Sequence, residues 1–190
     1  RTDEITAASG KKMSIMEEAM EAGMKTALIN SGSIIEPGTG CFVASSQSRR
    51  NYEEITKQIV ESGVDIIFSG GEEWLLPQGV KGVHCEGQRT DGLNLIDYLK
   101  EQGYAIVYNR TELLNTPAAT EKLFGVFSED HTFNDETEEY LRENKLPLYD
   151  KDAPTLAEMT KVALDILSAS GKQFFAVIEE EATDNFANNN

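Results

Sequence analysis

Residues 51–68 read NYEEITKQIVESGVDIIF and contain a helix pattern, a stop and a strand pattern in succession. Three apolar residues at helical spacing are expected to face inward: Ile55, Ile59 and Val60. Gly63 ends this pattern, and the short apolar run 64–68 follows. A strand without polar alternation is typical of a parallel sheet that is covered on both faces. We therefore predict a helix over 51–62 and a buried parallel strand over 64–68.

The same unit occurs on either side of this stretch. Upstream, SIMEEAMEA (14–22) precedes Gly23 and the strand pattern KTALIN (25–30), with an inner helix face expected at Ile15, Met16 and Ala19. Downstream, a helical pattern over 92–102 ends at Gly103 and the strand pattern YAIVY (104–108) follows. Alternation of this kind predicts an α/β fold of three layers, a mostly parallel sheet with helices on both faces.

The second half continues the alternation with one interruption. We expect a short helix near Glu112 and a strand over 123–127, whereas the acidic stretch 128–152 is predicted to leave the sheet. Thr155 and Glu158 form a capping-box pattern, which predicts a helix that runs to about Ser168. The apolar run QFFAVI (173–178) then predicts a central strand that is buried on both faces. Residues 1–190 are interpreted as a single domain.

Composition narrows the class of partner. The chain has 190 residues, with 33 acidic against 17 basic side chains and a formal charge of -16. Nucleic acid is an unfavourable partner because its phosphates require clustered basic side chains, and Arg49–Arg50 is the only adjacent arginine pair. No apolar run approaches the roughly 20 residues that span a membrane. The acidic surface has two interpretations, solvation or cation binding. Cys41 and Cys85 could form one disulfide or none.

Acidic residues cluster directly after the last predicted strand. Ligands of open α/β sheets bind at the carboxyl ends of the strands, so the run Glu179–Glu181 deserves inspection. Asp184 and Asn188 follow at a helical four-residue separation and could add oxygen ligands for a hard divalent cation. The alternative is that these acids are solvated and that Asp184 is favoured by a helix dipole.

A second group of polar residues follows the first strand. The segment 31–40 is rich in glycine and hydroxyl side chains, and Arg49 lies shortly beyond it. Backbone N–H groups in such a loop can surround a phosphate, and a guanidinium can bind two of its oxygens. Ordinary turns and a surface ion pair of Arg49 are the alternative explanation.

The order of these segments resembles the middle portion of the metal-dependent alkaline phosphatases, over nearly the whole chain. The match is carried by SIMEEAMEAGMKTALI, SRRNYEEITKQIVESGVDIIFSGGEEWLLP, DGLNLIDYLKEQGYAIVYNRTELL, KLFGVF and PTLAEMTKVALDILSASGKQFFAVIEEEATDNFANNN. The resemblance implies a magnesium-ligand glutamate at Glu179 and a zinc-ligand aspartate at Asp184. It also implies a phosphate-binding arginine at Arg49, if Glu36 takes the magnesium-site position thirteen residues earlier.

The chain departs from the family pattern at several ligand positions. Asn188 stands where the family usually has a zinc-ligand histidine, Glu180 and Glu181 replace two glycines, and Gly38 replaces a magnesium-site threonine. Thr39 could substitute for that threonine with a shifted backbone. Fewer nitrogen ligands and more carboxylates move the expected metal preference from zinc toward magnesium, calcium or manganese.

The resemblance also implies an activity and a context. The expected reaction is hydrolysis of a phosphomonoester by a metal-activated serine, and the family's serine and its remaining zinc ligands lie outside the matched segment. We therefore expect the chain to be a segment of a longer hydrolase that is inactive alone. The resemblance also implies a periplasmic or extracellular location and allows a homodimer, which is common in the family. A noncatalytic acidic α/β domain that binds divalent cations is the alternative. A nucleotide-binding module is a third hypothesis. The Gly70–Gly71 turn gives it little support, because it lacks the spaced glycines of a dinucleotide-binding fingerprint.

Overall fold

The protein forms one five-stranded sheet in which every strand is parallel to its neighbours. The structure is a computed structural model that describes residues 9–188, apart from the Asn188 side chain. The strands are β1 (Lys25–Ser33), β2 (Ile66–Gly70), β3 (Ala105–Val107), β4 (Leu123–Val126) and β5 (Phe174–Glu179). Their order across the sheet is β3-β4-β2-β1-β5. The predicted parallel α/β sheet is thus confirmed.

Helices separate the strands along the chain, as the alternating pattern predicts. They are α1 (Ile15–Glu21), α2 (Pro37–Gly40), α3 (Tyr52–Glu61), α4 (Leu95–Glu101), α5 (Arg110–Leu114), α6 (Glu138–Asn144), α7 (Leu156–Ala169) and α8 (Ala182–Asn188), with a 3-10 helix at Glu72–Trp74. The predicted capping box of Thr155 and Glu158 is present at the start of α7. Gly63, which follows α3, has a φ of 83°, a conformation that favours glycine and reverses the chain into β2.

Two hydrophobic cores cover the two faces of the sheet. Helices α1, α3 and α4 contribute to the first core, which includes Met16, Ile59 and Leu99. Helices α5 and α7 contribute to the second core, which includes Leu113, Met159 and Ala163. Successive strand residues point to opposite faces, so Leu28 of β1 joins the first core and Ile29 the second. This arrangement is the predicted three-layer fold.

Two burial predictions are wrong. Strand β5 is an edge strand rather than a central one, and its residues Phe174 and Ile178 are 41% and 42% exposed. A continuous apolar run cannot distinguish the two positions, because it does not show how many strands pair with this one or which helices cover its faces. Ile15 was expected inside, but it is 54% exposed because the inner face of α1 is formed by Met16 and Ala19.

The two faces of β5 are covered unequally, which predicts unequal costs for two neighbouring phenylalanines. Phe174→Ala should lower the free energy of unfolding by less than about 1 kcal/mol because Phe174 is 41% exposed. Phe175→Ala should cost about 2 kcal/mol or more, since Phe175 packs against the first core. Urea denaturation of both variants measures the difference, and equal losses would contradict the unequal covering of the two faces.

The segment after the first predicted strand is more regular than expected. Strand β1 continues to Ser33, and Pro37–Gly40 forms a single helical turn where an irregular loop was predicted.

Cys41 and Cys85 are not joined by a disulfide. The predicted excursion over 128–152 lies outside the sheet and contains α6. None of the helices within residues 9–188 is long and apolar enough to cross a membrane.

Candidate functional site

The carboxyl ends of β1 and β5 lie side by side. These strands are parallel neighbours, and Asn30 of β1 is opposite Glu179 of β5. The residues that follow both strands therefore emerge at one edge of the sheet, where α/β proteins bind their ligands. Glu179 and Glu181 of one group of polar residues singled out in the sequence lie near Glu36 of the other group, which pairs with Arg49.

Glu179 is held in place by groups from β1 and α2. The buried Asn30 side chain donates a hydrogen bond from Nδ2 to Glu179 Oε2 (2.7 Å) and accepts one at Oδ1 from the Gly32 N–H (2.6 Å). The backbone of Thr39 also hydrogen-bonds to Glu179. A Cβ atom at position 38 would overlap the Glu179 carboxylate in its present position, so a larger residue there would require this side chain to move. The departure at Gly38 thus allows the Glu179 carboxylate to approach the backbone of α2 closely.

Glu36 and Arg49 form an ion pair at the same edge. Arg49 Nη2 donates to Glu36 Oε2 at 3.3 Å. The Glu36 side chain is only 12% exposed, whereas that of Arg49 is 70% exposed. The guanidinium therefore lies at the surface, where an incoming anion can reach it.

Carboxylates at this edge repel one another. Burial is the largest cause, and together with the negative charges of Glu181 and Glu36 it raises the pKa of Glu179 to about 7. Burial and Glu181 also raise the pKa of Glu36, while His131 and Arg49 oppose that rise. A raised carboxyl pKa means that the ionised form lacks sufficient positive charge around it. A bound cation would supply that charge.

Asn30 and His131 have no role in the sequence interpretation of this edge, whereas Glu181 belongs to the acidic run singled out there. Asn30 lies inside an apolar strand pattern, and its contact with Glu179 depends on strand pairing that spacing does not show. Glu181 folds back over β1, so that a Cβ at Gly32 would lie 2.8 Å from its Cγ. His131 accepts a hydrogen bond at Nδ1 from the Ser33 N–H (3.1 Å).

The remaining predicted ligands lie on α8. Asp184 is exposed near the start of this helix. The side chain of Asn188 lies outside the described part of the structure. Phe186 packs against Phe133, with ring centroids 5.8 Å apart, so α8 is attached to the 128–152 excursion. The interactions described for Glu179 and Glu36 come from Arg49, Asn30, Thr39, Glu181, His131 and Asp130.

The oxygen donors at this edge suit a hard cation, but they are not arranged around a single point. Glu36, Glu179 and Glu181 offer carboxylate oxygens, which suit magnesium, calcium or manganese better than zinc. Over residues 9–188, however, no group of three or more His, Cys, Asp or Glu side chains is placed to hold a metal ion. One reason is visible, because Glu36 is turned toward Arg49 and Glu179 toward Asn30.

Comparisons with known proteins identify one family. The family model described as alkaline phosphatase matches residues 3–190. Alkaline phosphatase of Schizosaccharomyces pombe is 29% identical over 187 residues, covering 93% of this chain and 32% of that protein. The tissue-nonspecific isozyme of Homo sapiens is 27% identical over 194 residues, covering 87% of this chain and 35% of that protein. The chain thus spans about a third of the length of these relatives.

Solved structures show the same likeness. Thermus thermophilus alkaline phosphatase superposes with a TM-score of 0.68 at 26% identity, covering 92% of this chain and 33% of that one. A magnesium-bound mutant of alkaline phosphatase from the Antarctic bacterium TAB5 superposes with a TM-score of 0.69, covering 95% of this chain and 46% of that one. Its identity is 23%, so this second likeness concerns the fold alone.

Proposed function

Because the chain belongs to the alkaline phosphatase family, we propose that it is the central segment of a longer metal-dependent phosphomonoester hydrolase. The observation that carries this proposal is the Arg49–Glu36 ion pair beside Glu179, at the carboxyl edge of a parallel sheet. A cationic side chain and oxygen ligands in one place are what phosphoryl transfer requires of a protein.

Arg49 is proposed to bind the phosphoryl group. Its guanidinium can donate two parallel hydrogen bonds to non-bridging oxygens, which carry the negative charge throughout the reaction. The exposure of Arg49 supports this role, since a buried and fully paired arginine could not accept a new anion.

Glu36 and Glu179 are proposed to hold magnesium or a related divalent cation, and Glu181 lies close enough to add to their charge. A bound divalent cation would supply positive charge that stabilises the phosphoryl oxygens.

Glu36 can pair with Arg49 or with a cation. When Glu36 turns to a cation, Arg49 loses its partner and becomes available to phosphate. Cation binding and phosphate binding should therefore favour each other, and by linkage the coupling is reciprocal.

The proposal extends to a second metal position, to the nucleophile, and to the location and oligomeric state of the protein. Asp184 and Asn188 would contribute to a second metal position, with zinc as the family metal and calcium or manganese as substitutes. The serine nucleophile would come from the longer chain, so the 190 residues alone would bind phosphate without turnover. A periplasmic or extracellular location and a homodimer are proposed by analogy with the family alone.

Hydrolysis of p-nitrophenyl phosphate tests the proposal directly. The assay compares the 190-residue chain with the longer parent chain at alkaline pH, after chelation and after addition of magnesium, zinc, calcium or manganese. We expect metal-dependent turnover in the parent and none in the 190-residue chain. Thermal melting of the 190-residue chain with each metal measures binding independently of turnover.

The alternative, a noncatalytic cation-binding domain, makes a different prediction for the same assay. Metal would raise the melting temperature of the 190-residue chain, but neither this chain nor a longer one would hydrolyse the ester. The acidic composition and the mutual repulsion of Glu179, Glu181 and Glu36 favour cation binding in both cases. Turnover by the parent therefore distinguishes the two functions.

A further inference from the structure

A small cavity lies directly beside Arg49. Its volume is about 230 Å³, and its wall is mainly apolar. Ile35, Pro37, Ala44 and Ile55 form apolar parts of the wall, and its polar part comes from Arg49, Ser46 and Ser48. Ala44 and Ile55 belong to the first hydrophobic core, so this part of the wall is packed from behind.

The cavity and the proposed phosphate site share one side chain. Arg49 lines the cavity and also pairs with Glu36. The residues on either side of Glu36, Ile35 and Pro37, line the cavity as well. An anion on the guanidinium would therefore sit next to the cavity, and a group attached to that anion could enter it. An apolar cavity beside a cationic side chain is complementary to a molecule with an apolar body and an anionic end.

We propose that this cavity binds the organic group of the substrate, and that the preferred substrates are phosphomonoesters of small apolar alcohols with about one aromatic ring. This inference rests on the proposed function, because it requires phosphate on Arg49. The size is adequate, since an apolar cavity of about 150 Å³ is known to bind benzene. A polyol such as glycerol would lose hydrogen bonds to water in this apolar cavity.

The affinities of two phosphonates for the 190-residue chain test the inference. Phenylphosphonate and methylphosphonate carry the same anionic end, and neither is hydrolysed as an ester. We expect phenylphosphonate to bind roughly tenfold to a hundredfold more tightly, as burial of one ring predicts. Titrations followed by NMR chemical shifts, with magnesium present, give both dissociation constants, and inorganic phosphate serves as a third ligand.

Three results would contradict the inference, and each has a different meaning. Equal affinities for the two phosphonates would overturn the cavity proposal and leave the phosphate site intact. Failure of both phosphonates and of inorganic phosphate to bind would overturn the proposed function and this inference with it. A phenyl preference that is present in the 190-residue chain but absent from the parent would mean that another segment of the parent fills the cavity, which also overturns the inference.

A pair of variants at one position locates the effect. Cys41 lines the cavity and is partly exposed. Cys41→Phe should fill the space and abolish the phenyl preference without changing the methylphosphonate affinity, whereas Cys41→Ser should keep the preference.

The unmodified chain offers a measurement that does not depend on the folding of a variant. Nuclear Overhauser effects from the phenyl ring to the methyl groups of Ala44 and Ile55 are expected, and their absence in a saturated complex would overturn the inference.

Discussion

Arg49→Ala is expected to lower kcat/KM of the parent chain for p-nitrophenyl phosphate by about 100- to 1000-fold. Loss of one preorganised donor to a developing negative charge commonly has an effect of this size. Arg49 would contact the phosphoryl oxygens both before and during the reaction, so we expect KM to rise and kcat to fall. Steady-state kinetics on the metal-saturated parent chain measure both constants.

The adjacent Arg50 provides the matched control. It carries the same charge and is also exposed, but the structure gives its side chain no contact with Glu36 or Glu179. Arg50→Ala should change kcat/KM by less than about threefold, which is the size of a screened surface charge effect. Equal losses in the two variants would mean that the arginines act only through the general electrostatic field, and Arg49 would have no specific role.

The second large effect concerns the pH dependence of stability in the metal-free chain. The pKa of Glu179 is raised to about 7, so the folded state binds a proton that the unfolded state has already released above its ordinary value of 4.5. Stability from this group is fully present below about pH 4.5 and is lost as the pH rises through 7. After a discount for solvent screening of this partly exposed group, we expect a loss of about 1–2 kcal/mol.

Glu179→Gln should remove most of this pH dependence, because the glutamine cannot ionise. The matched control is Glu139→Gln on α6, an exposed glutamate on a different element, which should leave the slope unchanged. Urea denaturation between pH 5 and 8 in the presence of a chelator measures the effect. Magnesium should restore stability at pH 8 in the native chain but much less in Glu179→Gln. A flat profile for the native chain would contradict the crowding of Glu179 with Glu181 and Glu36.

Local patterns were sufficient to predict the layers of the fold. Helix periodicity, terminal glycines such as Gly63 and the capping box at Thr155 act within one or two turns of chain, so they can be read without tertiary information. The position of a strand within the sheet is a tertiary property. The apolar run at 173–178 therefore predicts a strand correctly but cannot show that β5 lies at the edge.

The candidate site was predictable only in part for a similar reason. Arg49, Glu36 and Glu179 could be selected because they follow strands that end at one edge and because the family resemblance gives their spacing. The contact of Asn30 with Glu179 depends on the register of β1 against β5, and the position of Glu181 depends on a close approach to Gly32. The close approach of the Glu179 carboxylate to Gly38 likewise depends on tertiary structure.

The most direct test of the site is a phosphate titration that follows the Arg49 side chain by ¹⁵N NMR. In the presence of magnesium, we predict that the Arg49 Nε resonance shifts saturably with phosphate and that Glu179→Gln weakens this binding. Chelation of the metal should also weaken it, because Glu36 then returns to Arg49. An Arg49 resonance that does not respond while phosphate binds elsewhere, or a response that is the same with and without metal, would contradict a single shared site.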